Sequence, residues 1–185
     1  MTAEAVPYLT EQQYLEAESR AETKSEYFDG VMYAMAGASD PHELVSMNFA
    51  GALLNHLRGK GCRVFKSDMK VRMTFLEKPF YRYPDVFVAC DPADNHRLYR
   101  ERPKLLIEVL SNDWDDGAMA KFIGYRSIQT VEEIVFADPN AEAPIVYISR
   151  RAEGWEPVEI VRGTESRFTL RSVGLEMSVA DLFVV

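Results

Sequence analysis

The chain is poor in the residues that usually announce a cofactor or a covalent framework. Its 185 residues include two cysteines, Cys62 and Cys90, and three histidines. Two cysteines imply no disulfide framework, so both are expected as buried free thiols in a reducing cytoplasm. His56 and His96 stand without partner residues in any metal-binding pattern. No apolar run approaches the roughly 20 residues of a membrane span. Met1 to Tyr14 also lacks a basic segment followed by an apolar one, so no membrane partner is expected. There is no repeat, no low-complexity stretch, no linker and no recognisable DNA-reading module. What remains is 47% apolar and 27% charged, the balance of an ordinary globular protein, and its length suits one domain over residues 1–185.

Basic charge is scarce overall, at a net −8, which at first argues against a polyanionic partner. Its distribution changes that reading. Residues 57–104 hold twelve basic and six acidic side chains, residues 1–56 two and nine, and residues 105–185 seven and fourteen. A basic band between acidic segments suits a metal-dependent enzyme acting on a polyanion, although clustered surface charge would look the same.

The pattern of elements predicts an α/β fold. Leu9 to Glu18 reads as a helix capped by Thr10, with Gln13 completing a capping box. Asp29-Gly30 between two β-prone runs predicts a two-residue hairpin. A long helix should start at Asp40-Pro41 and bury Leu44, Met47, Leu54 and Leu57, with Val45, Phe49 and Leu53 beside them. Strands follow at Cys62–Phe65 and Met69–Phe75. A second core helix, Asp115 to Ile128, carries Met119, Phe122, Ile123 and Arg126 at helical spacing. Val131 to Ala137 should return as a parallel strand. Pro144 to Arg150 and Trp155 to Val161 read as an edge ribbon.

Two further stretches organise the rest. Tyr83 to Ala89 and Lys104 to Ser111 are apolar runs of the kind found in fully buried strands, yet each contains one carboxylate, Asp85 or Glu108. A buried unpaired carboxylate costs several kcal/mol, so each needs a cation, a hydrogen-bond network or a raised pKa. Folding the connection Asp91–Pro103 as a wide loop puts the two acids roughly opposite each other. One shared cation would satisfy both. A hydrogen-bonded buried pair is the plainer alternative.

Tyr83-Pro84-Asp85 followed by Ile107-Glu108-Val109-Leu110-Ser111 resembles the PD-(D/E)xK nuclease superfamily. Within it the chain is similar to the Uma-two family of restriction endonucleases. Glu26-Tyr27-Phe28-Asp29-Gly30, His42, Pro84-Asp85, Glu108 to Ser111, Lys121 with Tyr125, and Asp138-Pro139 match that family's pattern in order. The resemblance implies a mixed central sheet flanked by helices, a restriction-endonuclease-like core with an added N-terminal β-hairpin. It implies a DNA endonuclease that hydrolyses phosphodiesters with Mg²⁺-activated water, Mn²⁺ being an alternative ion. The implied site is Glu26, Asp85, Glu108 and Lys121, with Asp85, Glu108 and the carbonyl of Val109 on the metal. Oxygen ligands of this kind are what hard Mg²⁺ prefers.

One position departs from the motif. The superfamily lysine two residues after the second acid is Leu110 here, and the resemblance places that role on Lys121. Asn112 also stands where the family has proline. Glu26 could instead be an ion pair on an exposed arm, Lys121 a solvated helix lysine, Tyr125 a packing residue, and His42 a helix-start residue bonded to a neighbour. Asp113, Asp115 and Asp116 are expected to complement a helix dipole rather than to hold a second metal. Two other functions stay open: a nuclease scaffold that binds or regulates without catalysis, and a hydrolase of RNA or a nucleotide. Cutting both strands of a duplex favours a homodimer, with the Pro144–Val161 ribbon as candidate interface.

Overall fold

The computed structural model describes residues 8–111 and 114–183. Helix α1 (Glu11–Glu18) begins with the expected reciprocal cap: the Gln13 N–H donates to the Thr10 hydroxyl at 3.2 Å, and the Thr10 N–H donates to Gln13 Oε1 at 2.8 Å. Strands β1 (Ser25–Phe28) and β2 (Val31–Ala34) flank Asp29 and Gly30, whose φ angles of 42° and 89° are the left-handed pair this turn requires.

Helix α2 (Asp40–Leu57) has Ser39 at its N-cap, one residue earlier than expected. Its buried stripe is Val45, Phe49, Leu53 and Leu57, while Met47 and Leu54 are 62% and 53% exposed. The expected stripe mixed two faces. The i, i+4 row 45–49–53–57 points to the sheet, and residues 47 and 54 fall on the far side of it.

The remaining strands are β3 (Arg63–Lys66), β4 (Lys70–Phe75), β5 (Lys78–Arg82), β6 (Val86–Ala89), β7 (Tyr99–Arg100) and β8 (Pro103–Val109). After helix α3 (Asp116–Arg126) come β9 (Glu133–Asp138), β10 (Ile145–Arg150), β11 (Glu159–Arg162), β12 (Arg167–Leu170), β13 (Leu175–Ser178) and helix α4 (Val179–Phe183). The central sheet has the order β11-β10-β9-β8-β6-β3. It is mixed, because β8 and β9 run parallel across the α3 crossover while its other neighbours are antiparallel.

Alternating residues of β6, β8 and β9 fill both faces of this sheet. Val86, Val88, Ile107, Val109, Val135 and Ala137 pack with α2 and α4. Phe87, Ala89, Leu106, Ile134 and Phe136 pack with α3. Burial on both sides explains why these strands read as continuous apolar runs.

Strands β4 and β5 leave this sheet. They join the N-terminal hairpin in a second sheet of order β2-β1-β5-β4-β7, knitted to α1 by Tyr14, Tyr27 and Tyr81. Pro84 stands between β5 and β6. It has no N–H to continue a ladder, and the chain changes sheets there.

Two expectations need correction. Cys62 and Cys90 are joined in a disulfide, their Cα atoms 4.0 Å apart. Arg63 faces Ala89 across β3 and β6, so the next residue outward on each strand is a cysteine facing a cysteine. A sequence separation of 28 hid a cross-strand pair, and a reducing compartment no longer follows from the cysteines. The expected ribbon also changes: Trp155 precedes β11, adopts φ 73° and is buried edge-on against Phe122.

Candidate active site

The register of β6 against β8 pairs Val86 with Ile107; one step further, Asp85 faces Glu108. The two acids line one cleft of about 640 Å³, together with Glu26, His42, Tyr83, Val109, Lys121 and the segment Ala34 to Ala38. All four residues expected in the site therefore meet in one place, although they come from four separate segments of the chain.

Each carboxylate has its own basic partner. Glu26 faces Arg82 across the β1–β5 pairing, which sets Tyr27 opposite Tyr81, and Arg82 Nη1 lies 3.0 Å from Glu26 Oε2. Glu26 Oε1 is buried with no hydrogen-bond partner. The side chain is thus drawn into the cleft wall, not laid along an exposed arm. Alternation along β1 explains its direction, since Ser25 and Tyr27 are the more deeply buried residues and Glu26 points the other way.

Asp85 is held from behind. Its Oδ2 accepts from the Val109 N–H at 2.8 Å and lies 3.2 Å from His42 Nε2. Burial pushes this carboxyl up, but His42 and the Val109 amide outweigh burial and leave its pKa below the ordinary value. The imidazole responds in the opposite direction: its hydrogen bond to Asp85 raises the pKa of His42 despite burial. Oδ1 of Asp85 accepts no hydrogen bond from a described residue, which leaves it for a ligand.

Glu108 is the most enclosed of the three, 1% exposed. Lys121 Nζ donates to its Oε2 at 2.7 Å, and the Tyr125 hydroxyl donates to Oε1. Burial dominates and lifts its pKa to about 7, with Asp85 adding to the rise and Lys121 and Tyr125 opposing it. Lys121 is itself pushed down by burial, yet Glu108 more than compensates and its pKa is raised.

Lys121 and Tyr125 both reach Glu108 because they lie one turn apart on α3. The face that α3 turns inward carries Ala118, Phe122 and Tyr125. Met119 and Ile123, expected on that face, are 42% and 40% exposed. Rotating the helix by this amount is what brings the lysine to the cleft. Leu110, at the superfamily lysine position, is buried in the apolar layer beneath α3.

Other expectations resolve structurally. Asp115 caps α3, accepting from the Ala118 N–H at 2.8 Å, and Asp116 lies in its first turn. Asn112 and Asp113 fall outside the described residues. Asp138 closes a local turn by accepting from the Asn140 and Ala141 N–H groups. Arg82 is the site residue that sequence reasoning missed. Its only signal was being a charged residue two positions before Pro84, and its partner lies 56 residues away.

A metal ion can be tested against this donor set. Among the described residues no three His, Cys, Asp or Glu side chains gather closely enough to hold one. Two carboxylates face each other, Asp85 just before β6 and Glu108 in β8, and Val109 lines the same cleft. Mg²⁺ takes one or two carboxylates and fills the rest of its shell with carbonyl and water oxygens. The residues present fit that requirement and fit zinc poorly, with one imidazole committed to Asp85 and both cysteines paired.

Comparison with known proteins agrees with this architecture. A family model, Uma2, described as "Putative restriction endonuclease", matches residues 11–180. The uncharacterized protein slr1290 of Synechocystis sp. is 31% identical over 181 residues, covering 96% of this chain and 92% of that protein. A second uncharacterized protein of the same organism, sll1609, is 32% identical over 144 residues, covering 75% and 79%. Among solved structures, a "putative nuclease belonging to DUF820" from Anabaena variabilis superposes with a TM-score of 0.71 at 18% identity, over 95% of this chain and 97% of that one. That likeness establishes a common mixed α/β fold, and the family match is what describes it as restriction-endonuclease-like.

Proposed function

Because this chain belongs to the Uma2 family of restriction-endonuclease-like proteins, we propose that it is a metal-dependent endonuclease acting on DNA phosphodiesters. The observation that carries the reading is the facing pair Asp85, just before β6 and half-buried, and Glu108, buried in β8, opening on one cleft with Lys121.

Asp85, Glu108 and the Val109 carbonyl would hold Mg²⁺, or Mn²⁺ in its place. Such an ion supplies positive charge to activate water and to offset the charge that builds on the phosphate under attack. The chain's own groups prepare for this. His42 and the Val109 amide keep Asp85 ionised and fix which oxygen faces the cleft. Tyr125 fixes one oxygen of Glu108, so the other is directed at Lys121. Lys121 can release Glu108 to a ligand and present its ammonium to a phosphate oxygen or to the attacking water, the role that Leu110 cannot fill. Glu26, with one oxygen on Arg82 and one uncommitted, is placed to orient a water from the opposite wall.

The test is cleavage of duplex DNA with Mg²⁺ or Mn²⁺ by the wild type, Asp85→Asn and Glu108→Gln. Each variant should lose all metal-dependent cleavage and keep a cooperative thermal transition. Cleavage surviving both substitutions refutes the assignment. Leu110 motivates a second reading, a nuclease scaffold that binds without cutting, and calorimetric titration separates the two: no heat at millimolar Mg²⁺ or Mn²⁺ favours it. Parallel assays on single strands and RNA test hydrolysis of another phosphoester. A two-fold dimer would serve both strands of a duplex, and light scattering of the free protein tests that.

A further inference from the structure

Beside the acidic floor of the cleft are two lysines that the mechanism above leaves unused, Lys24 among the lining residues and Lys70 next to them against Tyr83. Lys24 lies 5.8 Å and Lys70 4.9 Å from the centre of the same ring, that of Tyr83. Lys70 is 8% exposed, and among the described residues it forms no ion pair. Among the described residues the Lys24 ammonium pairs with Asp68, whose side chain is 84% exposed, and donates to the Ser67 carbonyl at 3.2 Å. Lys66, next along the turn, pairs with Glu43 on the cleft wall.

Two ammonium groups against one ring are an unfavourable arrangement left to themselves. The Tyr83 π face offsets some of the cost. So does Glu18, whose Oε1 accepts from the Tyr83 hydroxyl at 2.7 Å and whose buried Oε2 has no partner. Burial still pushes Lys70 below its ordinary pKa, with Lys24 adding to the fall and Glu18 opposing it. An anion would relieve this repulsion directly.

The position is also specific. Tyr83 is two residues before Asp85. The turn that carries Lys24's acceptor is fastened to the Asp85 backbone, the Ser67 N–H donating to the Asp85 carbonyl at 3.1 Å. Lys24, Ser67 and Tyr83 line the same cleft as Asp85 and Glu108. On the far wall, Ala34 to Ala38 carries no charge. A polyanionic strand with one phosphate over the carboxylates would lay its neighbouring phosphate on the lysine side.

We infer that Lys24 and Lys70, brought together on the Tyr83 ring, form a subsite that holds the nucleic-acid phosphate next to the one bound over Asp85 and Glu108. The subsite rests on the nuclease reading for its ligand, but it binds without chemistry and reads no base. It therefore contributes affinity and placement, uniformly across sequences.

The test is a salt titration of binding to a fluorescein-labelled oligonucleotide duplex, followed by anisotropy in EDTA. The proteins compared are wild type, Lys24→Gln, Lys70→Met, the double variant, Lys70→Arg, and Lys78→Gln as a control on the distant hairpin. Losing one phosphate contact should lower the slope of log K against log salt by about 1 and weaken binding about tenfold near 0.1 M salt. The double variant should show this loss on unrelated duplex sequences alike, Lys70→Arg should retain most of the affinity, and Lys78→Gln should match wild type. Circular dichroism melts establish that each variant is folded. If Lys70→Met unfolds the protein, Lys24→Gln and Lys70→Arg still carry the comparison. An unchanged slope in the folded double or Lys24 variant overturns the subsite while leaving the nuclease reading intact. Duplex binding with the expected loss but no metal-dependent cleavage supports the subsite and overturns the nuclease reading. No binding by wild type overturns the subsite, and the cleavage assay with Mg²⁺ or Mn²⁺ decides the nuclease reading separately.

Discussion

Glu108→Gln should make the protein more stable at alkaline pH and no more stable at acidic pH. In the wild type this carboxyl titrates near 7 in the fold against an ordinary 4.5, because it is buried beside Asp85. The folded state therefore keeps a proton that the unfolded state has already lost across that window. Stability contributed by the neutral carboxyl is fully present below about pH 4.5 and is lost as pH rises through about 7. The loss is on the order of 3 kcal/mol, since each tenfold difference in proton affinity between the two states is worth about 1.4 kcal/mol. Glutamine has the same shape, can still accept from Tyr125, and does not titrate. Lys121 loses its partner, but its side chain is 30% exposed and can turn to water. Urea unfolding at pH 5 and pH 8.5 measures the difference: the variant should gain roughly 2–3 kcal/mol on the wild type between the two conditions. A stability difference that does not change with pH, or one that moves against the variant as pH rises, refutes the burial argument. The same substitution should abolish cleavage, so the site holds Glu108 at a cost in stability.

Three further outcomes follow from the geometry. The His42 imidazole should titrate above 6.5 by NMR in the wild type and fall back in Asp85→Asn, since the carboxylate is the main cause of its rise; an unchanged value would mean the contact does not form. Cys62→Ser with Cys90→Ser should cost about 3–4 kcal/mol in urea unfolding by the loop-closure argument for a separation of 28 residues, and a dithiothreitol-insensitive wild type would contradict the disulfide. Gly30→Ala should lower the melting temperature, because φ is 89° there and an added Cβ would run into the Tyr8 ring; an unchanged melting temperature would show that the turn relaxes.

Much of the fold was legible locally. The Thr10–Gln13 box, the Asp29-Gly30 turn and the apolar strands all depend on neighbours a few residues apart, where short-range sterics and hydrogen bonds decide. Helix phase was less legible. Both α2 and α3 contain apolar residues on more than one side, and Met47, Leu54, Met119 and Ile123 face solvent. Composition alone cannot say which stripe meets the sheet.

For the candidate site, the sequence by itself determined that two carboxylates would face each other, since apolar runs and loop length fix the pairing. Only Glu108 is buried within a strand, whereas Asp85 lies half-buried just before β6, contrary to the expectation of a second buried strand acid. Only the tertiary structure decided what compensates them. The basic partners Arg82, His42 and Lys121 come from a different sheet and from two different helices, and their approach depends on where Pro84 ends one sheet and how α3 rolls on another. The same is true of Cys62 with Cys90 and of Lys24 with Lys70, pairs that exist only because separate turns arrive at one place. Charges and sulfurs act across space, and no local pattern records which distant segments the core will bring together.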